Sequence, residues 1–186
     1  ITGTTADALT YNTQGTYVIT WTFDDGNGNT TTATQNVIIL DVTAPTITCP
    51  GAQSRNTDAG FSTYTVVTNE FDPVTTNDNC GIATVVNDLN GTATLSGEVF
   101  ASGSTTVVWT ITDIAGLSST CSIVVTVSDS EAPVITCVTN QSRNTDAAVC
   151  TYTAIGTEFD PVSVSDNTGV SSLINDINGT NSLAGE

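Results

Sequence analysis

The chain repeats itself, and that property limits its fold more than any other. Ala44-Pro45 leads into Ile47-Thr48-Cys49, and Ala132-Pro133 into Ile135-Thr136-Cys137; the offset, 133 less 45, is 88. The same offset carries Gln53-Ser54-Arg55-Asn56-Thr57-Asp58-Ala59 onto Gln141 to Ala147, and Glu70-Phe71-Asp72-Pro73-Val74 onto Glu158 to Val162. Asn87-Asp88 and Asn90-Gly91-Thr92 recur as Asn175-Asp176 and Asn178-Gly179-Thr180, while Trp21 maps onto Trp109 and Asp41 onto Asp129. No insertion interrupts the match. The 186 residues therefore divide into the last part of one repeat (1–42), a complete repeat (43–130) and the first part of a third (131–186). A period near 88 is too long for a solenoid unit of roughly 20–50 residues. It suits a self-contained β-sandwich of the immunoglobulin type, which runs to about 100 residues.

Residue types agree with that size. Thr, Val and Ile supply much of the chain, and their branched β-carbons fit a pleated surface better than a helix. Period-two alternation recurs and no apolar stripe at helical spacing is present. The fold class is all-β, with tandem immunoglobulin-like sandwiches. The complete repeat reads as about seven strands: Thr46–Cys49, Phe61–Val67, Ile82–Asn87, Thr92–Leu95, Glu98–Phe100, Ser104–Thr112 and Thr120–Val127. Val107, Trp109 and Ile111 share one face of the sixth; Cys121, Ile123, Val125 and Val127 share one face of the seventh. Tyr17, Ile19, Trp21 and Phe23 repeat the pattern upstream. These faces are expected in the core, with Trp21 and Trp109 as structural plugs and the Thr-rich faces in water. Asp24-Asp25-Gly26-Asn27-Gly28-Asn29, Asn90-Gly91 and Asp113-Ile114-Ala115-Gly116 read as turns, because Asn and Gly tolerate positive φ.

Charge removes several functions. Nineteen acids stand against two basic residues, a formal charge of −17. Such a surface repels phosphate backbones and anionic membranes, so nucleic acid is not an expected partner. No apolar run is long enough to span a bilayer. The chain has no His or Lys, so neither a Ser-His or Cys-His arrangement nor an amine nucleophile can be built. The cysteines lack the C-x-x-C spacing of zinc sites. Carboxylate pairs such as Glu70 and Asp72 recur once per repeat, as structural features do. The chain is not expected to be an enzyme. Asn29, Asn90, Asn140 and Asn178 open N-x-[ST] triplets, read here as turns rather than glycan sites.

At this point the residues resemble a known family. Ala-Pro-x-Ile-Thr-Cys, Asn-Thr-Asp-Ala, Asp78-Asn79-Cys80-Gly81, Trp109-Thr-Ile-Thr-Asp-x-Ala-Gly and Thr120-Cys121-Ser122-Ile123-Val-Val-Thr-Val together look like the HYR (hyalin repeat) family. The resemblance implies an immunoglobulin-like module serving in adhesion. Long acidic arrays of such modules are similar to the SprB-type gliding and adhesion proteins of Bacteroidota, carried outside the outer membrane. The implied role is the structural stalk of a long secreted cell-surface adhesin. Its partners would be neighbouring repeats of the same chain, with surface polysaccharide or protein bound elsewhere in the molecule. The other reading is a binding module whose own loops grip a carbohydrate or a protein. The family's paired cysteines are broken here: Ser62 stands opposite Cys150, Thr168 opposite Cys80, and Ala33 opposite Cys121.

Four site expectations follow. Cys49 and Cys121 lie on inward faces of strands that neighbour each other in such a sandwich, so a disulfide is expected between them. Arg55 and Arg143, the two basic residues, occupy one position in successive repeats, and a guanidinium there suits a structural clasp in the loop after the first strand. Calcium is expected at the repeat junctions, held by Asp41, Glu70, Asp72 and Asp78, and by Asp129, Glu158, Asp160 and Asp166, against the simpler reading of a solvated acidic rim. Cys80 and Cys150 are expected to bond to the preceding and following repeats, through partners beyond these 186 residues. On that scheme Ser62 and Thr168 mark a junction where both halves of one staple are missing. A direct Cys80–Cys150 bond and two unrelated cysteine losses are the alternatives.

Overall fold

A computed structural model describes residues 5–7 and 10–186. Among them it holds strands, turns and loops and no helix. β1 (Gly15–Asp24) and β2 (Thr30–Ile39) form an antiparallel hairpin with Gly15 opposite Ile39 and Asp24 opposite Thr30. β3 (Thr46–Thr48) pairs with β6 (Thr75–Asn77), and β5 (Thr63–Thr65) with β8 (Val99–Ala101), both antiparallel. β4 (Gln53–Asn56), β7 (Ile82–Asn87), β9 (Gly103–Asp113) and β10 (Ser118–Ser128) form a sheet in the order β4-β10-β9-β7. β11 (Val134–Thr136) and β12 (Ser163–Ser165) close the sequence of strands as an antiparallel pair.

The chain groups into two compact units. One contains the described residues of Ile1–Gly51 with Thr68–Ser96 and Thr106–Ile123. Its core is Phe71, Leu95, Val107, Trp109, Ile111 and Ile123, all at most 2% exposed. The alternation along β9 explains three of these: Val107, Trp109 and Ile111 are two apart and so point to one side of the pleat. Burying each aliphatic side chain fully contributes about 1.5–3 kcal/mol. The other unit contains Ala52–Val67, Gly97–Thr105 and Val124–Glu186. It buries Val66, Phe100, Val125, Val127 and Ala154. There β4 runs parallel to β10, with Gln53 opposite Val125 and Asn56 opposite Ser128.

Several sequence expectations need correction. Thr92–Leu95 is not a strand. The Asn90 carboxamide oxygen accepts from the Thr92 amide and hydroxyl, both at 2.9 Å, and these local bonds hold a turn instead. Leu95 still reaches the core, at 0% exposure. Gln53–Asn56 and Thr75–Asn77 are strands that hydrophobic alternation does not reveal, since their side chains are all polar. Arg55 consequently sits on a strand, not in a loop. The expected strand Phe61–Val67 shortens to Thr63–Thr65. Trp21 is no core plug: it is half-buried, its indole N–H reaches the Gln35 side chain at 3.4 Å, and Phe23 is 39% exposed. Among the described residues β1 pairs with β2 alone.

Candidate metal centre

Three carboxylates come together from distant parts of the sequence. Asp41 lies in the segment between β2 and β3, Asp78 in the loop from β6 to β7, and Asp113 ends β9. One oxygen from each lies within 4.8 Å of the others. Each side chain divides its work in the same way. Asp41 Oδ1 accepts the Thr43 amide at 3.0 Å and the Asn79 carboxamide at 3.3 Å. Asp78 Oδ2 accepts the amides of Cys80 and Gly81, both at 2.7 Å. Asp113 Oδ1 accepts the Leu117 amide at 2.8 Å. The remaining oxygens, Asp41 Oδ2, Asp78 Oδ1 and Asp113 Oδ2, are inaccessible to solvent and have no hydrogen-bond partner. Asp113 as a whole is 1% exposed.

Local sequence explains the convergence. Asp-x-x and Asp-x-x-Gly segments fold back on their own amides, as Asx turns do. Gly81 has φ +110°, and a Cβ there would lie 2.9 Å from Ile114 Cδ1. Ile114 can swing aside, so what calls for glycine here is the positive φ, which residues with a Cβ rarely adopt. The Ile114 amide donates to the Gly81 carbonyl at 3.1 Å, so the two loops are tied by backbone as well. The Thr43 amide holds the Asp41 carboxyl below its usual range. Burial, and after it the neighbouring Asp41, Asp78 and Asp113 carboxylates, push the Cys80 thiol up.

The other expected ligands are placed elsewhere. Asp72 Oδ1 accepts the Leu95 amide at 2.8 Å, and Asp160 Oδ1 accepts the Leu183 amide at 3.0 Å. Both tie one loop to another. Glu70 is outside the carboxylate cluster. Glu158 pairs with Arg143 at 2.9 Å and accepts the Ile155 amide at 2.8 Å and the Tyr152 hydroxyl. The Ile155 amide first, and then the Tyr152 hydroxyl, hold its carboxyl below the ordinary range. Arg143 also donates to the Gln141 side chain and the Ser142 carbonyl and lies 5.4 Å over the Phe159 ring. Arg55 repeats much of this, donating to Gln53 and Ser54 and lying 5.9 Å from the Tyr64 centroid.

Asp129 and Asp166 repeat the hydrogen bonds of Asp41 and Asp78. Asp129 Oδ1 accepts the Glu131 amide at 2.9 Å, and Asp166 Oδ1 accepts the amides of Thr168 and Gly169 at 2.9 and 3.1 Å. Here, however, the Thr168 hydroxyl donates to Asp129 Oδ2 at 2.6 Å. Asp113 is the member of the cluster that the sequence does not reveal, because Asp113-Ile-Ala-Gly reads fully as a turn.

Cys49 and Cys121 are joined in a disulfide, with Cα atoms 5.8 Å apart. Cys80, Cys137 and Cys150 are unpaired. The family model that matches this sequence covers residues 40–127. A HYR domain is found there. Both disulfide cysteines and all three clustered aspartates fall within the HYR domain. The chain is similar to hyalin of Lytechinus variegatus, 32% identical over 88% of this chain and 30% of that protein. It is also similar to hyalin of Strongylocentrotus purpuratus, 35% identical over 66% of this chain and 10% of that protein. The chain thus spans less than a third of the length of these relatives. A solved structure of protocadherin gamma B7 extracellular cadherin domains 1–4 aligns with 70% of this chain and 36% of its own, at 16% identity and a TM-score of 0.31.

Proposed function

We propose that this chain is a non-enzymatic extracellular adhesion module, one segment of the stalk of a long cell-surface protein. The observation that carries the reading is where the polar loop side chains go. The Asn87 carboxamide donates to Asn90 and to the Thr92 carbonyl and accepts the Leu89 and Asn90 amides, at 2.8–3.0 Å. Asn175 makes the same set with Asn178, Thr180 and Ile177. Loops whose donors and acceptors are spent on their own backbone are scaffolding, not recognition surface. Similarity to the hyalins and the HYR match support adhesion. The Cys49–Cys121 bond suits an oxidising, extracellular compartment. In the SprB-type setting that the acidic repeats resemble, the stalk would serve surface attachment and gliding. Deleting internal repeats while keeping the distal tip tests the reading. A stalk loses reach and keeps its affinity for the attached surface; loss of affinity in proportion to the repeats removed would mean that the loops themselves bind.

The stalk reading includes staples between neighbouring repeats. The Asn167 carboxamide donates to the Phe61 carbonyl at 2.8 Å and to the Thr57 hydroxyl at 3.1 Å. The Gly60 amide donates to Glu131 at 2.7 Å. These contacts hold the neighbours of Ser62 and Thr168 together. A Ser62→Cys/Thr168→Cys variant is expected to close a disulfide in air, seen by peptide mapping. Two persistently free thiols would remove the staple.

A further inference from the structure

We infer that Asp41, Asp78 and Asp113 form a calcium site within the HYR domain, one that holds whether or not the chain works as a stalk. Three carboxylates gathered without a counter-charge repel one another, and a dry, unpaired carboxylate oxygen is costly to bury. Each of the three clustered carboxylates keeps one such oxygen, on a side chain whose other oxygen is fixed by backbone amides. Asp113 is almost wholly buried, so its free oxygen cannot be satisfied by turning to bulk water. Two oxygens bound to one calcium at about 2.4 Å can lie no more than about 4.8 Å apart. One oxygen from each of the three carboxylates meets that limit pairwise.

The chemistry of the donors selects the ion. All are hard oxygens, and the set contains no imidazole or thiolate ligand, which disfavours zinc and copper. Three ligands from three separate segments leave the rest of a six-to-eight-fold shell to carbonyls and water, which suits calcium's adaptable geometry better than magnesium's strict octahedron. Extracellular calcium-binding modules in general have dissociation constants on the order of 10⁻⁴–10⁻³ M.

The test uses the full chain, stripped of metal, at low ionic strength. Calcium chloride is added while heat of binding and melting temperature are followed. One saturable site and a rising melting temperature are expected, with a weaker response to magnesium chloride. Asp113→Asn keeps the Leu117 hydrogen bond but removes one ligand charge, and should weaken binding at least tenfold. Asp41→Asn, in a partly exposed segment outside the β-sheets, should do the same should the buried variant fail to fold. Glu98→Gln, outside the cluster, should leave binding unchanged. No heat and no thermal shift up to about 10 mM calcium, well past that range, would overturn the site. So would unchanged affinity in Asp41→Asn, or a thermal shift matched by sodium chloride of equal ionic strength.

Discussion

Residues 46–98 and 134–186 share much of their sequence, yet the two segments differ sharply in burial. Ile47 is half-buried and Ile135 is 52% exposed; Cys49 is bonded and Cys137 is free and exposed. Leu95 is fully buried, whereas Leu183 is only half so. Two of their turns, by contrast, keep the same bonds. Asp58 accepts the Thr65 amide at 2.9 Å as Asp146 accepts that of Thr153 at 3.0 Å, and the Asn87 and Asn175 networks are alike. Local hydrogen bonding follows from local sequence. Burial follows from β9 and β10, the long strands that supply Val107, Trp109, Ile111, Ile123, Val125 and Val127. No strand pair of that length follows β12 among the described residues.

The most severe way to break this contrast is to remove the core that only one segment has. Trp109→Ala should cost roughly 3–5 kcal/mol in denaturant unfolding. Trp21→Ala, at a half-buried site, should cost well under half as much. Equal losses would mean that β1 and β2 contribute to a core of the same quality. Next comes the covalent tie. Replacing Cys49 and Cys121 by serine opens a loop of 72 residues and should lower stability by about 4 kcal/mol in the chain-entropy picture. Cys137→Ser should leave the main calorimetric transition in place.

Strand faces were legible in the sequence because burial on one side imposes strict alternation, and every residue assigned inward on β9 and the aliphatic ones on β10 are buried. The polar strands Gln53–Asn56 and Thr75–Asn77 were not. Their pairing satisfies backbone groups without burying an apolar face, so no pattern betrays them. Two of the carboxylates in the cluster, Asp41 and Asp78, were legible as acids flanking a linker. Asp113 was hidden because one of its oxygens shapes a turn, a role that explained the residue without requiring a second. Glu70 and Asp72 misled because acidity alone does not say which way a loop faces.

Smaller effects sharpen the same comparison at the level of turns. Asn87 is 2% exposed, and its truncation to alanine orphans the Leu89 and Asn90 amides, at a cost of about 1–3 kcal/mol. Asn175→Ala removes the same bonds from a more open site and should move the main unfolding transition by less than about 0.5 kcal/mol. Comparable losses from both would show that the last segment unfolds with the rest. The smallest effect concerns Glu158, whose carboxyl is held below its unfolded value. Its contribution is present above the ordinary glutamate pKa of about 4.3 and fades as pH falls through the lower folded value. An NMR titration of the Glu158 carboxyl should show that depressed midpoint. Arg143→Gln should restore it only in part, because the Ile155 amide and Tyr152 hydroxyl remain.

The parallel pairing of β4 with β10 has a mechanical consequence. β4 lies near the start of the HYR match and β10 at its end. A pull on the two ends of the domain drags these strands in opposite directions along their length. Without the Cys49–Cys121 bond the rungs from Gln53–Val125 to Asn56–Ser128 would bear that load in shear, all at once, whereas the β1–β2 hairpin, gripped at its open end, would peel one rung at a time. The bond joins the chain ahead of β4 to β10 ahead of its paired residues, so it takes that load from the rungs and keeps the 72-residue span closed; tension can lengthen the domain only by the few residues outside it. A domain closed in this way is a stiff link that yields little before it breaks.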